Sequence, residues 1–136
     1  MMILLSVVGV LLWLALTAQA AELYRVEKVI NGHTLLLSNQ KQVRLIGIDA
    51  SSDAAADFLR DFVEGKGVTL EYDQVREDAD GNWLAYVLVI ETFLNATMLH
   101  AGYAVPQAMP PNTAHDELFK SLYEDALQNH RGLWKN

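Results

Sequence analysis

The stretch INGHTLLL, residues 30–37, contains the first side chain that could do chemistry. His33 follows Asn31-Gly32 and stands between two apolar runs rich in β-forming residues. A histidine in this setting could belong to an ordinary hairpin turn, could bind a metal through its imidazole, or could be a substitution inside an altered active site. The rest of the sequence has to decide between these interpretations.

The other histidines give no support for a metal site of their own. His100, His115 and His130 are scattered, without metal-ligand spacing, and we expect them at the surface. The chain has no cysteine, which excludes a disulfide framework and a thiolate metal site.

Length and charge limit the possible functions. The 136 residues, of which 51% are hydrophobic, suffice for one domain with a real core. The 17 acidic residues outnumber the 10 basic ones, giving a formal net charge of -7. This balance disfavours nucleic acid as a partner, unless a local basic groove or a bound cation receives the phosphates.

The N-terminus predicts export. No charged side chain occurs before Glu22, and Ala18-Gln19-Ala20 ends the apolar run with the small residues typical of a cleavage site. We expect a signal peptide at 1–20 and a single domain at 22–136, either periplasmic or secreted. An uncleaved membrane anchor formed by residues 2–18 is the alternative.

The mature segment predicts a small mixed β-barrel with helices packed on it. Alternation and turn residues predict strands at 22–30, 34–38, 42–49, 68–73 and 83–90. Helical spacing predicts a helix capped by Ser51 or Ser52 and ended by Gly65, followed by helices at 95–101 and 113–129.

Five blocks carry a resemblance to a known family. In order and spacing, VINGHTLLL, VRLIGIDA, GNWLAYVLV, LNATMLHAGYA and RGLW resemble the staphylococcal nuclease-like (thermonuclease) family over nearly all of the mature chain. The resemblance implies an α+β, mainly β, OB-fold: a five-stranded Greek-key barrel with three helices. Family members hydrolyse phosphodiester bonds in DNA and RNA, typically with calcium.

The resemblance assigns the metal positions to His33, Asp49 and Ala50. The family motif D-G-D-T supplies a calcium-binding carboxylate where this chain has His33, whereas Asp49 is retained and Ala50 can still offer a carbonyl. Calcium prefers oxygen ligands, and a neutral imidazole replaces a carboxylate poorly. Calcium is expected for the family, but here its site is predicted to be impaired.

The resemblance also assigns three catalytic positions. Arg44 is retained where the family has an Arg that contacts the phosphate. Ser52 stands in place of the Glu that activates water, and a hydroxyl cannot serve as that base near neutral pH. Asn82 replaces the Arg that stabilises the transition state, and an amide carries no charge.

Two hypotheses follow from these substitutions. In the first, the protein is an inactive nuclease homologue that binds a protein, an envelope component or a small ligand. In the second, it is a phosphodiesterase with an altered metal site built around His33, Asp49 and Arg44, with Asp53 recruited, in which His33 and Asp49 together could hold zinc or another transition metal.

Simpler roles are preferred for several of these residues. Arg44 and Asp49 are expected to form a structural ion pair, and Ser52 to cap the helix. Aromatic residues that could stack on bases are expected to serve core packing instead: Trp83, Tyr86, Tyr103 and Trp134.

Overall fold

A computed structural model describes residues 21–136, so the predicted signal peptide or anchor lies outside the described part of the chain. The strands are β1 (Tyr24–Asn31), β2 (Thr34–Leu37), β3 (Gln42–Leu45), β4 (Ile48–Asp49), β5 (Gly67–Glu71), β6 (Trp83–Val89), β7 (Thr92–Phe93) and β8 (Val105–Pro106). The helices are α1 (Asp53–Val63), α2 (Leu94–His100) and α3 (Asp116–Gln128), followed by a 3₁₀ turn at Gly132–Trp134. Among residues 21–136, no helix is long and apolar enough to cross a membrane.

Five of the strands form a closed barrel. Antiparallel pairs join β1 to β2, β2 to β3, β1 to β5, and β5 to β6. A parallel pair between β3 and β6 closes the circuit, with Arg44 opposite Leu84. The short strand β7 extends β6, and β4 pairs with β8 in a separate ribbon. The predicted OB-fold, with three helices around a five-stranded barrel, is therefore confirmed.

Helix α1 forms where the helical spacing predicts it. Ala55, Leu59 and Val63 recur every four residues and are fully buried against the barrel. The helix ends at Val63, two residues before Gly65. The positive φ of Gly65, 80°, is not helical, so the chain turns out of the helix there.

Two element predictions are corrected by the structure. The strand expected at 42–49 is interrupted after Leu45, because Gly47 adopts a φ of 83° and packs against the ring of Phe119, where a Cβ would collide. The last helix begins at Asp116 rather than Thr113. The segment before it is held by the buried Asn112, whose side chain makes two hydrogen bonds of 2.8 Å with the backbone of Val75.

A buried asparagine stabilises the closure of the barrel. Asn95, on α2, is fully buried. Its Oδ1 accepts a hydrogen bond from Val87 N at 3.0 Å, and its Nδ2 donates to Ile46 O at 2.9 Å and to Ala85 O at 3.3 Å. One side chain thus satisfies backbone groups of β6 and of the segment that follows β3.

We expect Asn95→Ala to lower the free energy of unfolding by about 3 kcal/mol or more, because it leaves buried backbone groups without partners. Asn129→Ala is the matched control, since Asn129 is exposed and its side chain hydrogen-bonds to Asp125 at the end of α3, and it should cost less than about 1 kcal/mol. Urea denaturation measures both values. Equal losses in the two variants would contradict the role of Asn95.

Candidate functional site

The turn between β1 and β2 places His33 beside the chain that leaves β4. Asn31 Oδ1 accepts a hydrogen bond from His33 N at 2.9 Å and fixes the turn. Gly32 packs so closely that a Cβ there would collide with the carbonyl of Ala50 and with the side chain of Ala55. The glycine therefore permits the contact between this turn and the N-terminal side of α1.

His33 acts as a hydrogen-bond acceptor within the fold. Its Nδ1 accepts from Ala50 N at 2.8 Å and lies 3.5 Å from Asp49 Oδ1. A nitrogen whose lone pair receives the Ala50 N–H cannot also carry a proton for Asp49. Burial lowers the pKa of His33, and so does the positive charge of Arg44, whereas Asp49 acts in the opposite direction. We therefore assign His33 as neutral and do not count the short distance to Asp49 as an ion pair.

Arg44 is directed toward protein oxygens rather than toward Asp49. Its Nη1 donates to Leu45 O at 2.7 Å, and its Nη2 donates to Gln107 Oε1 at 3.2 Å. Within the described residues no ion pair joins Arg44 to Asp49, so the expectation of a structural ion pair is wrong. The carbonyl and the amide satisfy the guanidinium instead.

The charges around Arg44 are nevertheless coupled. Burial lowers the pKa of Arg44, while Asp49 and Asp78 raise it. An arginine remains protonated after any such shift. One positive charge thus lies close to two carboxylates, which weakens its attraction for a phosphate.

Asp49 and Ala50 border a small cavity. Asp49 ends β4 and pairs with Val105 of β8, and its side chain is 44% exposed. Ala50 is buried. The cavity has a volume of about 130 Å³ and is lined by Asp49, Ala50, Ser51, Ser52, Tyr103, Ala104, Val105, Leu133 and Trp134. It provides a mostly apolar recess next to the one retained carboxylate of the metal positions.

Ser52 is the N-cap of α1. Its Oγ accepts a hydrogen bond from Ala55 N at 3.1 Å, and its backbone has the extended conformation usual for a cap. Asp53 follows as the exposed first residue of the helix. The hydroxyl at the position assigned to the general base is thus used to satisfy a free helical amide.

Asn82 belongs to the turn before β6. Its Nδ2 donates to Asp78 Oδ2 at 3.1 Å, and its backbone N donates to Asp78 Oδ1 at 3.0 Å. Asp80 N also donates to Asp78 Oδ1, at 2.9 Å. The Asn82 amide therefore holds a loop together at the position that the resemblance assigns to a catalytic arginine.

The structure adds residues that sequence reasoning missed. Asp78 and Gln107 bind Asn82 and Arg44 respectively, and neither lies in a motif block, so only their proximity in the fold reveals them. Within residues 21–136, no three His, Asp or Glu side chains are grouped closely enough to hold a metal ion. This donor set does not suit calcium, which requires several oxygen ligands.

Among the aromatic residues considered, Tyr86 is buried in the core, Tyr103 stacks on Phe58, and Trp134 packs against Tyr123. Trp83 also packs against the core, as expected, and in addition borders a second cavity together with Tyr24 and Tyr72. Tyr24 and Tyr72 belong to distant parts of the sequence, and no sequence pattern marks them as lining a common cavity.

A comparison with models of protein families shows to which family this chain belongs. The model for "Staphylococcal nuclease homologue" matches residues 42–136, which include Arg44, Asp49, Ser52 and Asn82. This chain belongs to the staphylococcal nuclease homologue family. It is also 34% identical over 82 residues to an uncharacterized protein of Bacillus anthracis. That match covers 59% of this chain and 38% of the relative, so the chain spans well under half of the relative's length.

We expect Ser52→Ala to lower the free energy of unfolding by about 1 kcal/mol, because it removes the cap of α1. Ser52→Asn should restore most of the loss, since Asn is an equally good cap. The exposed Ser51 makes no cap hydrogen bond, and Ser51→Ala should change stability by less than about 0.5 kcal/mol. Urea denaturation gives all three values, and a neutral Ser52→Ala would refute the capping role.

The hydrogen bond from Ala50 N predicts a pH dependence. Because the pKa of His33 is lowered in the folded protein, the unfolded chain binds a proton more readily. The stability contributed by neutral His33 is therefore present above its ordinary pKa of about 6.5 and is lost as pH falls toward the folded-state value.

The test is the free energy of unfolding of the native chain minus that of His33→Asn, measured between mildly acidic and neutral pH. An Asn amide oxygen can accept from Ala50 N without titrating, and the other histidines cancel in the difference. We expect this difference to decrease as pH falls, because the native chain loses stability and His33→Asn does not titrate at this position. The opposite slope would indicate a protonated His33 paired with Asp49.

Proposed function

We propose that this protein is an exported member of the staphylococcal nuclease homologue family that lacks nuclease activity and serves as a binding domain. One observation carries the proposal. The side chains at the three substituted positions, His33, Ser52 and Asn82, all make hydrogen bonds that hold nearby backbone or a loop in place. None of them is left free for the chemistry that the family performs at that position.

The absence of a base weighs most against hydrolysis. A positioned proton acceptor typically contributes about 10²–10⁴ in rate. Ser52 titrates far above neutral pH and is already engaged with Ala55 N. The neighbouring carboxylate of Asp53 lies exposed on the first turn of α1 rather than at the Ser52 position.

Charge at the cleft gives the second argument. Removing a preorganised electrostatic donor costs about 10²–10³ in rate, and Asn82 brings no charge to replace it. Arg44 is the retained cation, but Asp49 and Asp78 face it and its donors already bind Leu45 O and Gln107 Oε1. A phosphate approaching this cleft would meet more negative than positive charge.

The metal positions supply the third argument. A cation at the cleft would need Asp49 together with His33, but His33 Nδ1 is used by Ala50 N. Binding a metal through that nitrogen would break a hydrogen bond that joins the β1–β2 turn to the segment between β4 and α1. Zinc sites in proteins usually have three or four protein ligands, so two ligands, one of which already accepts a hydrogen bond, make a poor site even for zinc.

Export and binding rest on further features. The apolar segment 1–20 with its small residues at Ala18 and Ala20 supports secretion, with a membrane anchor as the alternative. The recess beside Asp49, about 130 Å³ in volume, is suited to a side chain of a protein or an envelope component. An acidic surface with a net charge of -7 favours such partners over nucleic acid.

The deciding experiment measures cleavage and binding together. The chain lacking residues 1–20 is incubated with single-stranded DNA and RNA in the presence of calcium, manganese or zinc, beside the Asp49→Ala variant. We expect no metal-dependent cleavage and no salt-dependent oligonucleotide binding by either protein.

Cleavage that requires a metal and disappears in Asp49→Ala would overturn the proposal. It would favour instead a phosphodiesterase with an altered metal site at His33 and Asp49, the reading supported by their 3.5 Å separation. Circular dichroism of Asp49→Ala controls for loss of fold.

A further inference from the structure

A second cavity is lined by other residues than the cleft and has a different chemical character. It has a volume of about 320 Å³ and is lined by Tyr24, Tyr72, Arg76, Glu77 and Trp83. It shares no lining residue with the recess beside Asp49. Tyr24 begins β1, whereas the turn carrying His33 follows the other end of that strand, about 20 Å away along an eight-residue strand.

The backbone around this cavity is fixed before any ligand binds. Glu77 forms a β-bridge with Trp83, and Leu84 N donates to Arg76 O at 2.9 Å. The side chain of Asn112 holds Val75 through both of its backbone groups. A site held in this way loses little conformational entropy on binding.

The aromatic rings form a corner rather than a slot. Tyr24 and Trp83 have centroids 5.6 Å apart and planes inclined at 77°. The Arg76 guanidinium covers one face of Tyr72, with Cζ 3.8 Å from the ring centroid. Because these two rings meet at a steep angle, a ligand in the corner meets both of them, and the corner leaves room for a saturated ring, which is thicker than a planar base. The faces of the aromatic rings carry a partial negative charge, which attracts the C–H groups of such a saturated ring.

The polar residues of the cavity have opposite charges. Arg76 offers N–H donors and Glu77 offers carboxylate acceptors. Within residues 21–136 neither of them forms an ion pair, so their hydrogen-bonding groups remain available to a ligand. An anionic ligand would be repelled by Glu77 and a cationic one by Arg76. A neutral ligand rich in hydroxyl groups can use both, because each hydroxyl donates and accepts.

We propose that the cavity between Tyr24, Tyr72 and Trp83 binds a neutral sugar ring of a glycan. The ring stacks its C–H face on Trp83, and its hydroxyl groups hydrogen-bond to Arg76 and Glu77. The volume of about 320 Å³ is at the lower end of small-ligand sites, roughly 300–1,000 Å³, and suits one or two sugar rings. This site uses none of the residues of the former nuclease cleft, so it does not depend on whether that cleft is active.

The test follows the indole N–H signals of the full chain by NMR during titration with cellotriose, maltotriose and triacetylchitotriose. Trp83→Phe assigns the Trp83 signal among those of the three tryptophans. We expect at least one trisaccharide to shift this signal saturably. Trp83→Ala should then raise the Kd about tenfold, as expected for the loss of one good aromatic contact.

Two variants of exposed residues separate binding from folding. Glu77→Gln and Arg76→Ala should each weaken trisaccharide binding severalfold while the protein remains folded, because both residues are exposed. Lys120→Ala is the charge-matched control on the exposed surface of α3 and should leave the Kd unchanged.

Three results would overturn the proposal. The first is the absence of any shift of the Trp83 signal with all three trisaccharides at millimolar concentrations. The second is a shift caused by adenosine monophosphate or oligothymidylate but by no sugar, which would make the cavity a base-binding site. The third is sugar binding that Glu77→Gln and Arg76→Ala leave unchanged, which would remove the polar contacts from the site.

Discussion

The parallel pairing of β3 with β6 is the constraint on which the rest of the structure depends. It closes the barrel, and Asn95 stabilises it by binding backbone groups on both sides of the closure. Because the pair is parallel, the turn before β6 lies beside β3, which brings Asn82 and Asp78 near Arg44. The arrangement of these residues around the cleft is therefore a consequence of barrel closure. A polar side chain in the core is tolerated here because all of its hydrogen-bonding groups are used.

The fold is retained although three motif positions carry residues that differ from the family motif. In the family, the substituted positions are assigned a metal-binding carboxylate, a base and a cation. Here His33, Ser52 and Asn82 satisfy backbone or loop groups that would otherwise need other partners. Each substitution exchanges a charged group, which is costly to bury, for a neutral group that makes local hydrogen bonds. Stability and catalysis make different demands on the same positions, and the residues present here contribute hydrogen bonds to the fold.

The two cavities differ in a way that follows from their surroundings. The recess beside Asp49 is small and bounded by the helix cap and the chain terminus. The larger cavity lies where β1 begins and the β5–β6 loop returns, so rings from three separate segments meet there. Trp83 is half-buried at the start of β6 and packs against the hydrophobic core, while its ring also borders the cavity. An aromatic side chain at this position contributes both to the packing of the core and to the wall of a surface cavity.

The sequence alone determined the elements, the barrel class and the substitutions at the motif positions. These properties depend on local periodicity, on caps such as Ser52, and on residue identities within contiguous blocks. The tertiary structure alone decided that His33 accepts from Ala50, that Arg44 binds Gln107 rather than Asp49, and that Gly47 interrupts the third strand. Partners far apart in sequence are chosen by distance and orientation, which no local pattern encodes. Hydrogen bonds are short and directional, so shifts of an ångström or two decide which of several nearby groups is bound.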